Sequence, residues 1–196
     1  MEEKQIKEIG VFLARMQPLH NGHLALIKRI IDENEQCLIL IGSSDKLNKR
    51  NPIPGNFRKE LLHQSIMMDG TLSKAYNDGR IKIVLLPDLT SEEDNSHDWG
   101  FYLYSNIVRL IGQHCFTMYY SDGWEIITKW FPGFLLQNSV DLRLVARNNC
   151  QDGISATKVR RLITQDVITD DVLCKYVPEP VIENLKIIRS FIAVWN

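Results

Sequence analysis

The sequence IGVFLARMQPLHNGHLALIKRI, residues 9–30, contains the pattern that decides the fold. Its first six residues, 9–14, are almost all apolar, which is typical of a short strand buried on both faces. Apolar residues then recur at helical spacing and would share one face of a helix. These positions are Leu24, Ile27, Ile30 and Ile31. A strand that leads through a short polar turn into an amphipathic helix predicts a βα unit.

The same alternation continues along the chain. Short apolar stretches alternate with amphipathic ones, which is typical of a parallel sheet covered by helices. The strand candidates are residues 9–14, 37–41, 81–86, 116–121 and 141–145, and further helices are predicted over residues 57–66, 99–111, 124–131, 156–163 and 180–194. We therefore predict an α/β fold with a doubly wound, mostly parallel, five-stranded sheet, a C-terminal helix, and a single domain over residues 1–196.

Composition limits the possible partners. The 196 residues include 23 Lys and Arg and 24 Asp and Glu, so the net charge of -1 offers no broad attraction for nucleic acid or an anionic membrane. The charged N-terminus lacks the apolar core of a secretory signal, and we expect a cytoplasmic protein. The four cysteines lie far apart, without zinc-site spacing, and are expected to be reduced, mostly buried and free of metal. Any phosphate must be held by a local cluster of cations.

The first such cluster is His20-Asn21-Gly22-His23, between the first strand and the first helix. A helix N-terminus favours anions, because its first N–H groups are unpaired and carry partial positive charge. Two imidazoles three residues apart can donate hydrogen bonds to phosphate oxygens, and Gly22 lets the backbone approach closely. The alternative is that both histidines only cap the helix or lie on the surface.

The second cluster is ISATKVRR, residues 154–161, after the last predicted strand. Ser155 is a candidate N-cap, and its hydroxyl and that of Thr157 would lie beside the N–H groups of the first turn. Arg160 lies about one turn further on, so hydroxyls, amides and a guanidinium could converge on a triphosphate. The alternative is an ordinary capped amphipathic helix. Two such helix starts at the carboxyl edge of one sheet favour the phosphate site.

Other features narrow the chemistry. Lys46, Lys49 and Arg50 follow the second strand and are most simply a solvated loop, whereas Arg58 opens a helix and is the better phosphate candidate. The sequence contains no GxxxxGK[ST] loop, no GxGxxG fingerprint and no nucleophile elbow. These absences favour phosphate transfer by positioning and charge stabilisation, without a covalent intermediate.

Together the two motifs resemble a known superfamily. QPLHNGH, residues 17–23, and ISATKVR, residues 154–160, resemble the HxGH and ISxTxxR signatures of the nucleotidylyltransferases. The longer stretch ARMQPLHNGH, residues 14–23, is most similar to archaeal-type nicotinamide-nucleotide adenylyltransferases. Other segments that resemble this family are IGSS (41–44), NPIPGNFR (51–58), LPD (86–88), YYSDG (119–123) and YVPEPV (176–181). The resemblance covers nearly the whole chain.

The resemblance implies a Rossmann-like nucleotidyltransferase fold and a reaction. A mononucleotide's 5′-phosphate would attack the α-phosphate of ATP, with Mg²⁺, to form NAD or its acid precursor and pyrophosphate. It implies catalytic roles for His20, His23 and Arg160. It implies ATP or phosphate contacts from Arg15, Gly22, Arg58, Ser155 and Thr157, and acceptor contacts from Trp99 and Asp88. It also implies small-molecule partners and a homo-oligomer, while the net charge predicts neither nucleic acid nor a membrane as a partner.

The sequence departs from this family mainly near the acceptor. Ala14, Met16 and Ala156 are mild differences, but the acidic segment 91–98 is longer than the family's loop. The acceptor therefore stays open between nicotinamide mononucleotide, nicotinate mononucleotide and another phosphate such as phosphopantetheine, and a cytidylyltransferase or a nucleotide sensor without catalysis are alternatives. Trp99 would stack on a nicotinamide ring or, equally, be a core residue. An aminoacyl-tRNA synthetase is disfavoured by the short chain and the missing KMSKS-like loop.

Overall fold

The sheet of the computed structural model has the predicted architecture. The structure describes residues 8–91, 93–121, 125–146, 154–165 and 169–195. Strands β1 (Ile9–Ala14), β2 (Gln36–Ile41), β3 (Ile81–Leu85), β4 (Phe116–Ser121) and β5 (Val140–Val145) pair in the order β3-β2-β1-β4-β5. Every pairing between them is parallel. The predicted α/β fold is thus confirmed, and each strand end lies within one residue of its predicted position.

The helices differ more from the prediction. They are α1 (Asn21–Glu33), α2 (Gly55–Met68), α3 (Gly70–Asn77), α4 (His97–Ile111), α5 (Gly133–Asn138), α6 (Ala156–Ile163), α7 (Asp170–Leu173), α8 (Glu179–Glu183) and α9 (Leu185–Ala193). Helices α3, α5 and α7 were not predicted. Residues 125–129 of the predicted helix 124–131 form a 3₁₀ helix, and residue 124 lies outside the described residues. In the described parts of the chain, no helix is long and apolar enough to cross a membrane.

The predicted C-terminal helix is two helices. It breaks at Asn184, whose side-chain amide donates to the carbonyl of Pro180 at 2.8 Å. Such a bond from an asparagine side chain competes with the helical backbone pattern, and this explains the break. The cysteine prediction was also partly wrong, because Cys37 is buried but Cys115 and Cys174 are exposed, while Cys150 lies outside the described residues.

The sheet separates two apolar cores. Successive side chains of a strand point to opposite faces. On β1, Phe12 and Ala14 belong to the core beneath α1, α2 and α9, whereas Ile9 and Val11 belong to the core beneath α4 and α5. The chain leaves β1 toward β2 on one side and returns to β4 on the other, so the order of strands reverses between β1 and β4. Open parallel sheets form a crevice at such a point, outside the carboxyl ends of the strands.

Helix α4 lies very close to the chain at Trp130. A Cβ atom on Gly100 would lie 1.9 Å from the carbonyl oxygen of Trp130, closer than any real contact. Glycine is therefore required here for packing. The contact places Trp99, next to Gly100, edge-on against the ring of Trp130 with centroids 6.0 Å apart.

Replacing Gly100 by alanine should lower the free energy of unfolding by roughly 1–3 kcal/mol, because α4 must move away from Trp130. The control is Gly70→Ala, since a Cβ on Gly70 meets nothing within 4 Å. The control should change stability by less than about 1 kcal/mol. Urea denaturation measures both variants, and equal effects would contradict the close packing.

Candidate active site

Two adjoining cavities lie at the carboxyl edge of the sheet. The first, of about 380 Å³, is lined by the loop after β1, the end of β4 and the start of α6. The second, of about 620 Å³, is lined by residues after β1, β2 and β3 and by Trp99 of α4. They share Leu13, Ala14, Arg15, Arg50 and Trp130. Residues 122–124, which follow β4, lie outside the described residues.

His20 and His23 lie together in the first cavity. His20 is the N-cap of α1, with extended backbone, and its ring stacks on that of His23 with centroids 3.6 Å apart. The backbone N–H of His20 donates to Nδ1 of His23 at 3.2 Å. Because Nδ1 of His23 accepts this hydrogen bond, the neutral ring carries its proton on Nε2. His23 therefore has an Nε2–H donor for a ligand.

Gly22 and Asn21 hold this turn in place. A Cβ on Gly22 would lie 3.1 Å from Nδ1 of His20, so glycine leaves room for the histidine ring. The backbone N–H of Asn21 donates to the carbonyl of Tyr176 at 2.8 Å. Its side chain donates to the carbonyls of Cys174 and Lys175 at 3.3 and 3.2 Å. The start of α1 is thus fixed to the chain before α8.

The second motif meets the first in the same cavity. The predicted N-cap is confirmed, since Oγ of Ser155 accepts from the backbone N–H of Lys158 at 3.2 Å. The guanidinium of Arg160 donates to the backbone carbonyl of Gln17 and, at 3.4 Å, to Oγ1 of Thr157. Ser155, Thr157 and Arg160 all line the first cavity. Residues 143 positions apart in the chain are therefore in direct contact.

The first cavity is cationic. Arg15, Arg50 and Arg160 line it together with the two histidines, and none of its described lining residues is Asp or Glu. Guanidinium groups donate paired hydrogen bonds to phosphate oxygens. The N-termini of α1 and α6 add partial positive charge. This cavity can hold a polyphosphate.

The second cavity has charges of both signs. Arg15 and Arg50 lie where it joins the first cavity, and Asp88, Glu93 and Asp94 also line it. Asp88 accepts from Oγ of Ser43 at 3.1 Å, and its backbone N–H donates to Oδ1 of Asp45 at 2.9 Å. Asp88 is therefore fixed between the ends of β2 and β3, in the cavity that Trp99, the other predicted acceptor residue, also lines.

Trp99 borders the second cavity but is only 6% exposed. Its ring lies 5.5 Å from that of Tyr102 and packs edge-on against Trp130. Within the described residues, its indole Nε1 has no hydrogen-bond partner. The structure thus shows the core role that was weighed against stacking. Stacking of Trp99 on a ligand ring stays a prediction. Little of the indole surface is exposed to the cavity for such a contact.

Two arginines have surroundings that the sequence analysis did not specify. Arg58 was predicted to contact phosphate, but it is fully buried, lines neither cavity and donates to backbone carbonyls. Arg50 lies in an exposed loop, as predicted, and it also lines both cavities and pairs with Glu93 at 3.4 Å. The usable signal was its position beside NPIPGNFR, residues 51–58. Its place at the junction of the cavities makes it a candidate phosphate ligand.

A family model described as cytidylyltransferase-like matches residues 11–162. Among curated proteins, the chain is 26% identical over 187 residues to the nicotinamide-nucleotide adenylyltransferase of Thermococcus sibiricus, covering 92% of this chain and 84% of that protein. It is 25% identical over 187 residues to the enzyme of the same name from Pyrococcus furiosus, with the same coverage of 92% and 84%.

Two solved structures share the fold. A bifunctional NMN adenylyltransferase/ADP ribose pyrophosphatase from Francisella tularensis, complexed with AMP and a manganese ion, has a TM-score of 0.69 and 19% identity over 96% of this chain. The match covers 52% of the Francisella chain, so the present chain spans about half of its length. The Plasmodium falciparum nicotinic acid mononucleotide adenylyltransferase complexed with APC has a TM-score of 0.63 and 13% identity, covering 95% of this chain and 98% of that one.

The environment of His23 predicts its protonation state. Burial lowers the pKa of His23 well below its usual value of 6.5, and the neighbouring His20 lowers it further. Stability that depends on neutral His23 is thus complete above pH 6.5 and is lost as the pH falls below it. ¹H–¹⁵N NMR should show a neutral ring with the proton on Nε2 at pH 6.5, compared with a histidine peptide in the same buffer. A midpoint at or above 6.5 would contradict this assignment.

Proposed function

The chain belongs to the cytidylyltransferase-like family, and from that premise we propose that it transfers the adenylyl group of ATP to a pyridine mononucleotide. The products are NAD, or its acid precursor, and pyrophosphate. The observation that carries the proposal is the first cavity, where three arginines, two histidines and two helix N-termini converge without a carboxylate among the described lining residues. The names of the archaeal relatives support the choice of ATP and of a pyridine mononucleotide.

In the proposed reaction an oxygen of the acceptor's 5′-phosphate attacks the α-phosphorus of ATP. The new P–O bond joins the two nucleotides, and the bond to the β-phosphate breaks as pyrophosphate leaves. Negative charge builds up on the oxygens around the α-phosphorus and on the leaving group. His20, His23 and Arg160 donate hydrogen bonds to this charge, which lowers the barrier without a covalent enzyme intermediate.

The two cavities suit the two substrates. The first would hold ATP, with Ser155, Thr157 and the start of α6 at its phosphates. The second would hold the mononucleotide, with its phosphate at Arg15 and Arg50, where the cavities join. Fixed relative positions of two reactants convert a bimolecular step into an effectively unimolecular one. The junction at Arg15 is therefore where the bond would form.

Charge in the second cavity favours the amide over the acid mononucleotide. Besides the two arginines, the charged residues that line the cavity are Asp88, Glu93 and Asp94, and Glu93 also pairs with Arg50. Hydrogen bonds from Ser96 and Thr90 lower the pKa of Asp94, so this carboxylate is ionised at neutral pH. A pyridinium ring with a neutral carboxamide fits beside these groups, whereas a ring that carries a carboxylate is repelled. We therefore place nicotinamide mononucleotide ahead of nicotinate mononucleotide.

A divalent cation, which we propose is Mg²⁺, would arrive with ATP. In the described parts of the chain, no cluster of His, Cys, Asp and Glu could hold a metal by itself. Mg²⁺ commonly keeps several waters and binds mainly through substrate phosphates. When bound to ATP it would neutralise part of the triphosphate charge, while the arginines and histidines supply the protein's donors. This matches a cavity lined by cations.

Removing His20 should slow the reaction by about two orders of magnitude or more, because a hydrogen-bond donor to the transition state is lost. The measurement is pyrophosphate release from ATP and nicotinamide mononucleotide by His20→Ala. His114→Ala is the control, since His114 is exposed and lies outside both cavities. Full activity in His20→Ala would show that the catalytic assignment is wrong. ATP binding without any turnover by the wild-type protein would instead support a sensor.

The acceptor preference should depend on the acidic residues of the second cavity. With ATP fixed, we expect kcat/KM for nicotinamide mononucleotide to exceed that for nicotinate mononucleotide by about tenfold. Glu93→Gln should reduce this ratio by roughly two- to fivefold, since Glu93 is well exposed and its charge is partly screened. Glu183→Gln, exposed and outside both cavities, is the control. Preference for nicotinate would overturn the charge argument, and turnover with phosphopantetheine alone would overturn the acceptor class.

A further inference from the structure

Arg58 is a fully buried arginine that joins two strand ends. It lies on α2 and is 0% exposed. Its Nη1 donates to the backbone carbonyls of Arg15 at 2.6 Å and Gly42 at 2.9 Å. Its Nη2 donates to the carbonyl of Ser43 at 3.0 Å. These carbonyls follow β1 and β2, so one guanidinium holds the carboxyl ends of two neighbouring strands.

Burial of this cation has a large cost. In the described parts of the chain, no carboxylate lies within ion-pair distance of Arg58. Burial and, to a lesser extent, the charge of Arg15 lower the pKa of Arg58 to about 10, against an opposing effect of Asp88, so the group stays charged at neutral pH. An apolar side chain would fill the same space without desolvating a charge. The hydrogen bonds to the three carbonyls are therefore the reason that an arginine, and not an apolar residue, fits this position.

The bonded carbonyls lie where the backbone turns sharply. Met16, directly after Arg15, has a φ of 50°, and Ser43 has a φ of 46°. Non-glycine residues adopt this left-handed conformation only when the surrounding structure holds them there. Arg15, directly before the first of these turns, lines both cavities. Ser43 lines the second cavity, and its hydroxyl donates a hydrogen bond to the carboxylate of Asp88.

We propose that Arg58 is a positioning residue for the transfer reaction, fixing the backbone of Arg15 at the junction of the two cavities and that of Ser43 in the second cavity. It acts through Arg15, and it does not contact phosphate. The inference rests on the proposed function, because the junction is where the two substrates would react. A displacement of about 1 Å at a reacting centre can reduce a rate by about a hundredfold. The rate gained by fixing the junction would explain why a charged residue is buried at position 58.

The chain contains a matched control for this role. Arg80 also donates to three backbone carbonyls, those of Ile31, Asn34 and Glu35, at 2.6 to 3.0 Å. These carbonyls lie at the end of α1 and before β2, and none of these residues lines either cavity. Lysine keeps the charge but lacks the planar fork of donors. Arg80→Lys thus removes a comparable set of bonds away from the junction.

The test compares Arg58→Lys with Arg80→Lys, each alone and combined with Arg15→Ala. We expect Arg58→Lys to lower kcat/KM by about thirtyfold and Arg80→Lys by less than threefold, at similar losses of melting temperature. In the Arg15→Ala background, Arg58→Lys should lower kcat/KM by less than about threefold further, because its effect passes through Arg15. Equal losses for the two lysine variants, or losses that multiply in the double variant, would overturn the proposal.

Two further measurements distinguish failure of the positioning role from failure to fold and from failure of the proposed function. If Arg58→Lys does not fold, Arg58→Gln replaces it in the same comparison. If the wild-type protein turns over neither mononucleotide, the proposed function fails, and Arg58 is then tested by hydrogen exchange. Loss of protection at residues 15–17 and 42–44 in Arg58→Lys, with none there in Arg80→Lys, would support the positioning role. Unchanged protection in both variants would refute it.

Discussion

The five strands of the sheet all run in the same direction, so their carboxyl ends lie along one edge. A parallel strand must be followed by a crossover, and each crossover brings a loop or a helix start to that edge. From β1 the chain adds β2 and β3 on one side and then β4 and β5 on the other, and this reversal of strand order opens a crevice between β1 and β4. Both motifs flank this crevice, and Arg160 joins them by donating to the carbonyl of Gln17. The site is thus a consequence of strand direction.

Four arginines near this edge have different tasks, set by burial and partners. Arg160 connects the two motifs, while Arg15 and Arg50 line both cavities. Arg58 is fully buried and bonded to three backbone carbonyls. An arginine is useful in each place because its guanidinium is planar, always charged and rich in donors. Residue type alone does not distinguish an arginine that binds ligand from one that supports the site.

The separation of charge between the cavities explains how one edge could accept two substrates. The first cavity has cations and no Asp or Glu among its described lining residues, whereas the second adds Asp88, Glu93 and Asp94 to two of the same arginines. Like-charged groups brought together at a reacting centre repel each other, so two phosphates need cations between them. Arg15 and Arg50 lie at that boundary. In the proposed reaction, Asp88 and Asp94 would face the rest of the acceptor, while Glu93 pairs with Arg50.

The sequence by itself determined the strands, the βα order and the helix starts at His20 and Ser155, because buried strands need apolar residues and helix caps depend on near neighbours. Helices α3, α5 and α7 were missed, since packing rather than periodicity supports short helices. Only the tertiary structure decided that Arg58 faces the backbone, that Arg50 enters both cavities and that Trp99 is mostly buried. These outcomes depend on contacts between distant segments, which no local pattern of residues specifies.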